Sequence, residues 1–220
     1  MQEERKKKQL RSKSFCIDVT APLAMFTSPA SKQNCERISY PYPTYSALRA
    51  MFDRIYFRPG IRWIIDRCRI MNEIEYENRF LITPSYRMKQ SERMRFRFDY
   101  LSNARYKVEA HYKLDSRFFG SKYYNLNHDK IIDKAICSGD ALLWAGTSDC
   151  PALFFPTEFD EDEGYYDGSG RTDPIRMFYE FEYQNREKSE IKTVSYALVT
   201  MNDGVIDFRN IPRVTIRGGL

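Results

Sequence analysis

Histidine is scarce in this chain, with only His111 and His128, and the five cysteines at 16, 35, 68, 137 and 150 form no C-x-x-C pair. No H-x-x-H, H-E-x-x-H or neighbouring Cys-His spacing occurs, so the usual zinc patterns are absent. An odd set of scattered cysteines argues against a disulfide framework and for reduced thiols in a cytoplasmic protein. No apolar run approaches the ~20 residues that a membrane helix requires, and no membrane partner is expected. The glycines of GYYDGSG at 164–170 lack the lysine and following helix of a phosphate-binding loop, and no G-x-S-x-G elbow is present. No cofactor and no metal are therefore expected, and the acidic run Asp160–Glu163 reads as a solvated loop.

Aromatic residues, by contrast, are plentiful, with 16 Tyr and 15 Phe in 220 residues, enough for a core and for a surface that stacks on bases. The formal net charge is +5. Most of that excess lies in residues 1–14, MQEERKKKQLRSKS, which are too polar to bury and read as a disordered basic arm. Within the body the charges segregate. A basic stretch from Arg79 to Lys107 opposes the acidic run Glu158–Glu163, and local patches rather than net charge would hold phosphates.

The segment ERISYPYPTYSALRAMFDRIYFRPG at 36–60 organises the rest. Pro41 and Pro43 keep their predecessors extended. Thr44 is placed to cap a helix whose apolar stripe is Leu48, Met51, Phe52 and Ile55, and Pro59-Gly60 ends it. Strands are expected at FCIDVT (15–20), along Arg62–Tyr76 with Ile64 turned to a helix layer and Ile65 away from it, and from Arg105 onward. Residues 77–97 read as a loop or hairpin arm. A second helix is expected from about Asn127 to Cys137, followed by a short buried strand at 141–146. This order predicts an α+β fold, a ferredoxin-like (RNA-recognition-motif-like) βαββαβ unit over 15–147 with a C-terminal antiparallel β-meander over 148–220.

His111 falls on the polar face of a strand, the ordinary place for a structural histidine. His128 sits in the polar stretch SKYYNLNHDK at a helix start, where a ligand would reach it and where an imidazole suits proton transfer. Histidine, tyrosine and cations without a metal set suit RNA cleavage by the neighbouring 2′-hydroxyl, since the substrate brings its own nucleophile. Arg93, Arg95 and Arg97 alternate with Met94, Phe96 and Phe98, so a strand there would present three guanidinium groups on one face for phosphates and unpaired bases. The alternative for those arginines is a solvated strand face.

The segment at 36–60, with PLAMFTSP at 22–29, RWIIDRCRIMNEIEY at 62–76, YLSNARYKVEAHY at 100–112, GYYDGSG and ALVTMNDGVIDF at 197–208, resembles the type I-C branch of the fifth CRISPR-associated (Cas) family. The resemblance implies a Cascade subunit that cuts the CRISPR RNA precursor without metal and stays on the 5′ handle. It implies a catalytic set of a tyrosine ending the first helix and a Lys-His pair before the second. Tyr56 and His128 match that set, whereas the lysine position is Asn127, which leaves Lys122 or Lys130 to supply the charge. A basic residue follows the tyrosine in the family, which here is Arg58. The implied partners are CRISPR RNA and its precursor, the repeated backbone subunit, the large subunit, and target DNA within the complex. Phe118, Phe119, Tyr123 and Tyr124 are candidates for those interfaces. Asn127 also keeps a second reading open, a handle-capping assembly subunit without cleavage, and a third is a generic RNA binder of the same fold.

Overall fold

The computed structural model describes residues 11–27, 36–82, 95–115, 126–185 and 190–217. In these, the fold is α+β and mostly antiparallel sheet, with two helices set against it. Strand β1 (Phe15–Ala24), the short β2 (Glu36–Ile38) and helix α1 (Tyr45–Ile55) open the chain. They are followed by β3 (Ile61–Ile70), β4 (Glu75–Ile82) and the 20-residue β5 (Arg95–Leu114). Helix α2 (His128–Ser138), β6 (Leu143–Trp144) and β7 (Pro151–Pro156) come next, and β8 (Thr172–Asn185), β9 (Glu190–Asn202), β10 (Val205–Asp207) and β11 (Arg213–Arg217) complete the order.

The path through the sheet is β11-β9-β10-β3-β5-β1-β7-β6, with β2 and β4 on β5 and β8 on β9. β5 is the spine. Its first half pairs with β4, its second half with β3, and β1 runs along the opposite edge from Leu101 to Ala110. The place beside β1 is taken by β7, not by the strand anticipated at 141–146, of which only Leu143 and Trp144 pair. The chain spends the rest of that stretch in a turn where the Met25 N–H donates to the Ala145 carbonyl at 2.9 Å. Gly146 there has φ +98, and a Cβ would run into the Met25 carbonyl. Gly146→Ala is expected to cost roughly 2–4 kcal/mol from steric overlap and positive φ together. Urea unfolding should show it as a lower midpoint at unchanged slope.

Helix α2 lies within a residue of its expected bounds, whereas α1 starts at its cap but stops at Ile55, four residues before the Pro59-Gly60 that its sequence marks as the end. Thr44 caps α1 by accepting the Ala47 N–H at 3.3 Å, and Tyr45, Leu48, Met51, Phe52 and Ile55 are its buried face. Under that face the Trp63 ring meets Phe52 at 4.9 Å and Phe15 at 5.7 Å, and Leu48, Phe52 and Trp63 are fully buried.

Three strand expectations are corrected. The run 62–76 is two strands, because Met71–Ile74 turns away and β4 pairs with the far half of β5. Within β3 the register shifts between Ile65 and Arg67, a bulge that turns Trp63 and Ile65 inward together with Cys68 and Ile70. One extra residue inverts the face of everything on one side of it, so a strict alternation placed Ile64 and Ile65 the wrong way round. The polar face of β5 is also covered rather than half-exposed: Lys107 is fully buried and His111 nearly so. The acidic segment 158–163 lies over this face and is not simply solvated. Asp162 pairs with Arg105 at 3.1 Å and with Lys107 at 3.2 Å, and Asp160 pairs with Arg69 at 2.9 Å. The two charge poles of the sequence thus partly neutralise each other inside the molecule.

At the other end of the chain order, Asp203 and Gly204 both take positive φ, 46 and 77, in the tight turn between β9 and β10. Asn-Asp-Gly is a sequence that favours such a turn. No helix among the described residues is long and apolar enough to cross a membrane.

Candidate active site

Tyr56 is the residue on which α1 ends. Its N–H still bonds the Phe52 carbonyl, but its φ of −151 and ψ of 114 are extended, so the side chain leaves the helix axis. The Trp63 indole N–H donates to the Tyr56 carbonyl at 2.9 Å and ties this end to β3. His128 is the first residue of α2, where Asn127 is the N-cap and its side-chain oxygen accepts the Lys130 N–H at 3.2 Å. Two helix termini, 72 residues apart in sequence, are thereby brought together, with the Tyr56 hydroxyl 2.9 Å from His128 Nδ1.

Tyr112 on β5 forms the third side. Its ring stands edge-on to His128 at 5.9 Å, and its hydroxyl donates to Asp129 Oδ1 at 2.8 Å. The Tyr112 backbone is held in turn by Ser12, whose N–H donates to the Tyr112 carbonyl at 3.0 Å and whose Oγ accepts the Tyr112 N–H at 2.8 Å. Lys13 then pairs with Asp133 of α2 at 2.7 Å. The last residues of the expected disordered arm, Arg11 to Lys13, therefore dock beside the site, while residues 1–10 lie outside the described part.

The pair is enclosed, with Tyr56 at 5% and His128 at 4% exposure, which corrects the expectation that a helix start leaves His128 open to a ligand, because Tyr56 and Tyr112 cover it. Burial raises the Tyr56 pKa, against a smaller lowering by the Arg58 charge, so the phenol stays protonated through neutral pH. Burial, then the Asp129 hydrogen bond, raise that of Tyr112 as well. A neutral imidazole carries one N–H, so when Nδ1–H donates to the Tyr56 oxygen, Nε2 is the basic atom and the phenol O–H is left to donate elsewhere. This arrangement holds an imidazole and a protonated phenol in hydrogen-bond contact.

Arg58 belongs to the same turn. Its guanidinium donates to the Phe57 carbonyl at 2.9 Å and lies 5.2 Å from the Tyr56 ring centroid. Of the hairpin-arm arginines, Arg97 does not join the site. Arg97 donates to Asp99 at 2.9 Å and to Asn78 at 3.1 Å, and along β5 it lies roughly 50 Å of strand from Tyr112 at about 3.3 Å per residue. Arg95 pairs through its backbone with Ile82. Lys122 and Arg93 fall outside the described residues, as do Phe118, Phe119, Tyr123 and Tyr124. His111, by contrast, is a buried partner of Asp66 at 2.7 Å on the other side of β5.

Tyr112 and Asp129 were missed from the sequence. Tyr112 lies in the strand expected from Arg105 onward, and only its contact with a helix start gives it a role. Tyr112→Phe removes one charged-acceptor hydrogen bond and is expected to cost about 1–2 kcal/mol. A double-mutant cycle with Asp129→Ala, which removes the acceptor, should recover most of that cost as coupling.

A curled antiparallel α+β sheet of this kind defines a class with solved members. A crystal structure of a CRISPR-associated protein matches with a TM-score of 0.73 at 25% identity, over 91% of this chain and 93% of the other. A functionally uncharacterized protein from Streptococcus mutans, SMU1763c, matches with a TM-score of 0.70 at 24% identity, over 91% and 94%. The chain belongs to the CRISPR-associated Cas5 proteins, in the Cas5d family, whose model matches residues 15–209. A CRISPR pre-crRNA endoribonuclease, Cas5d, of Mannheimia succiniciproducens is 34% identical over 62 residues. That stretch is 28% of this chain and spans about a quarter of the relative's length, 27%.

Proposed function

We propose that this chain is a type I-C Cascade subunit that binds the repeat-derived 5′ handle of CRISPR RNA and cuts the precursor by metal-independent attack of a 2′-hydroxyl. The observation that carries the reading is the 2.9 Å contact between Tyr56 and His128, the two residues singled out for this chemistry from the sequence. In the proposed step RNA binding opens the enclosed pair and exposes His128 Nε2, which is buried in the free protein, and Nε2 takes the 2′-hydroxyl proton while Nδ1–H donates to Tyr56. The 2′-oxygen bonds to phosphorus, the bond to the 5′-oxygen breaks, and that oxygen leaves with a proton from water. Tyr56 O–H donates to a non-bridging oxygen, and Lys122 supplies positive charge to the phosphorane. The products are a 2′,3′-cyclic phosphate and a 5′-hydroxyl. The relative named as a pre-crRNA endoribonuclease supports the same activity.

The fold part of the proposal is a ferredoxin-like unit made of β1, α1, β3, β5, α2 and β7, with β8 to β11 as its extension. The neighbour order β7-β1-β5-β3, antiparallel throughout, supports it. This moves the proposed boundary from 147 to the end of β7. The proposed partners are CRISPR RNA, the backbone and large subunits, and target DNA, in the cytoplasm, with Arg58, Arg93, Arg95 and Arg97 as RNA contacts.

One observation favours the second reading. Asn127 stands at the family's lysine position and spends its amide on capping α2. A handle-capping subunit without cleavage needs no cation there. Incubating the protein with a labelled repeat-hairpin RNA in excess EDTA separates the readings. The expected result is one cut that is lost when the ribose at the cut is replaced by deoxyribose. Tight binding without a cut would make the chain a capping subunit.

A further inference from the structure

Beside the closed Tyr56–His128 pair the surface is aromatic and open. Phe57, between Tyr56 and Arg58, is 57% exposed, so its ring is offered to solvent directly beside the pair. Its backbone is held in place: the residue before it is tied to His128 and Trp63, and the residue after it bonds the Phe57 carbonyl. On the His128 side, Leu126 and Ile131 are also exposed, at 42% and 38%. Phe57 forms a wall of an open groove of about 320 Å³ that continues past Arg62 and Trp63 to Asp115, Glu180 and Glu182. Arg49 and Arg62 in that groove are engaged by Glu180, at 2.8 and 3.4 Å, and so are not free to hold a phosphate, while a ring wall accepts the face of a base. Phosphates are left to the Arg58 side.

We infer that Phe57 is a stacking platform for the unpaired RNA base next to the phosphate held at Tyr56 and His128. The inference rests on the proposed RNA-binding function, but not on cleavage. Stacking of a base on an aromatic ring is tolerant of sequence, so Phe57 sets where the strand lies rather than which base is read. It also accounts for why an apolar ring is left in water beside a site of polar chemistry.

The test uses the full chain and repeat RNAs carrying 2-aminopurine at single positions around the handle junction, read by fluorescence quenching and by affinity. At one position the wild type should quench the probe. Phe57→Ala and Phe57→Leu should lose that quenching and bind roughly tenfold to hundredfold more weakly. Phe57→Trp should keep both, and thermal melts should be unchanged because the ring is exposed. Quenching that depends on Phe57 in a protein that does not cut would sink the nuclease reading and leave this one standing. Affinity and quenching unaltered in Phe57→Leu would overturn it, as would loss of binding to another Cascade subunit with RNA binding intact. Absence of any RNA binding by the wild type would overturn both.

Discussion

Replacing His128 with alanine is expected to slow single-turnover cutting of a repeat hairpin by roughly 10²–10⁴-fold, the usual loss of a general acid-base group, with RNA affinity within about threefold of wild type. Affinity should survive because His128, at 4% exposure, adds little contact area, and most of the surface offered to RNA is Phe57, Arg58 and their surroundings. Alanine also leaves a cavity between Tyr56 and Tyr112, so His128→Gln is the companion variant. Its amide keeps a hydrogen bond to Tyr56 but takes no proton, and it should cut as poorly as alanine while melting near wild type. Cutting within tenfold of wild type in both variants would remove His128 from the chemistry and make its contact with Tyr56 a packing bond. Tyr56→Phe is the intermediate case. It keeps the ring against His128 and loses one neutral donor, so a smaller loss than for His128→Ala is expected.

Much of the scaffold could be read because its signals are local. Thr44 before an apolar stripe and Asn127 before Ile131 and Ile132 are caps with period 3.6, and both helices begin one residue after them. Asn202-Asp203-Gly204 specifies its turn by positive φ alone. What failed depends on partners distant in sequence. The bulge at Asp66 leaves no mark in composition, and the buried Asp66–His111 pair is made across 45 residues. The covering of Lys107 needs Asp162 and the Glu158 carbonyl from a loop that looks merely soluble in isolation.

The candidate site divides along the same line. Tyr56 and His128 were legible as a helix end and a helix start, places where a side chain is held by one element and remains near other chains. Their contact follows from α1 and α2 lying on one side of the same sheet, which strand order decides and local sequence does not. Tyr112 and Asp129 were illegible because their role exists only once β5 passes beneath α2. The hairpin arginines illustrate the converse: a regular alternation of charge is visible in sequence, but Arg97 is turned to Asp99 and Asn78 far along β5.

The second large effect concerns the charge at the phosphorane, since neither Tyr56 nor His128 brings a permanent one. Lys122→Ala is expected to slow cutting by about 100-fold, the usual cost of one electrostatic contact to a developing oxyanion, and Asn127→Lys should restore most of that loss in the same background. The restoration has a structural cost. Asn127 accepts the Lys130 N–H at 3.2 Å, and a lysine cannot replace that cap. A capping asparagine is worth roughly 0.5–2 kcal/mol, and a cation in a helix first turn opposes the dipole by about 0.3–1 kcal/mol. Asp129, in the first turn of α2, offsets part of the added charge. Asn127→Lys should therefore cut faster and unfold at a lower urea concentration, an opposition that a purely structural effect would not produce. If Lys122→Ala cuts like wild type, the charge comes from elsewhere and Lys130 is the next residue to replace. If the wild type does not cut and Asn127→Lys does, the capping amide is what separates a handle-holding subunit from a nuclease, and the two readings of this chain differ by one side chain at the start of α2.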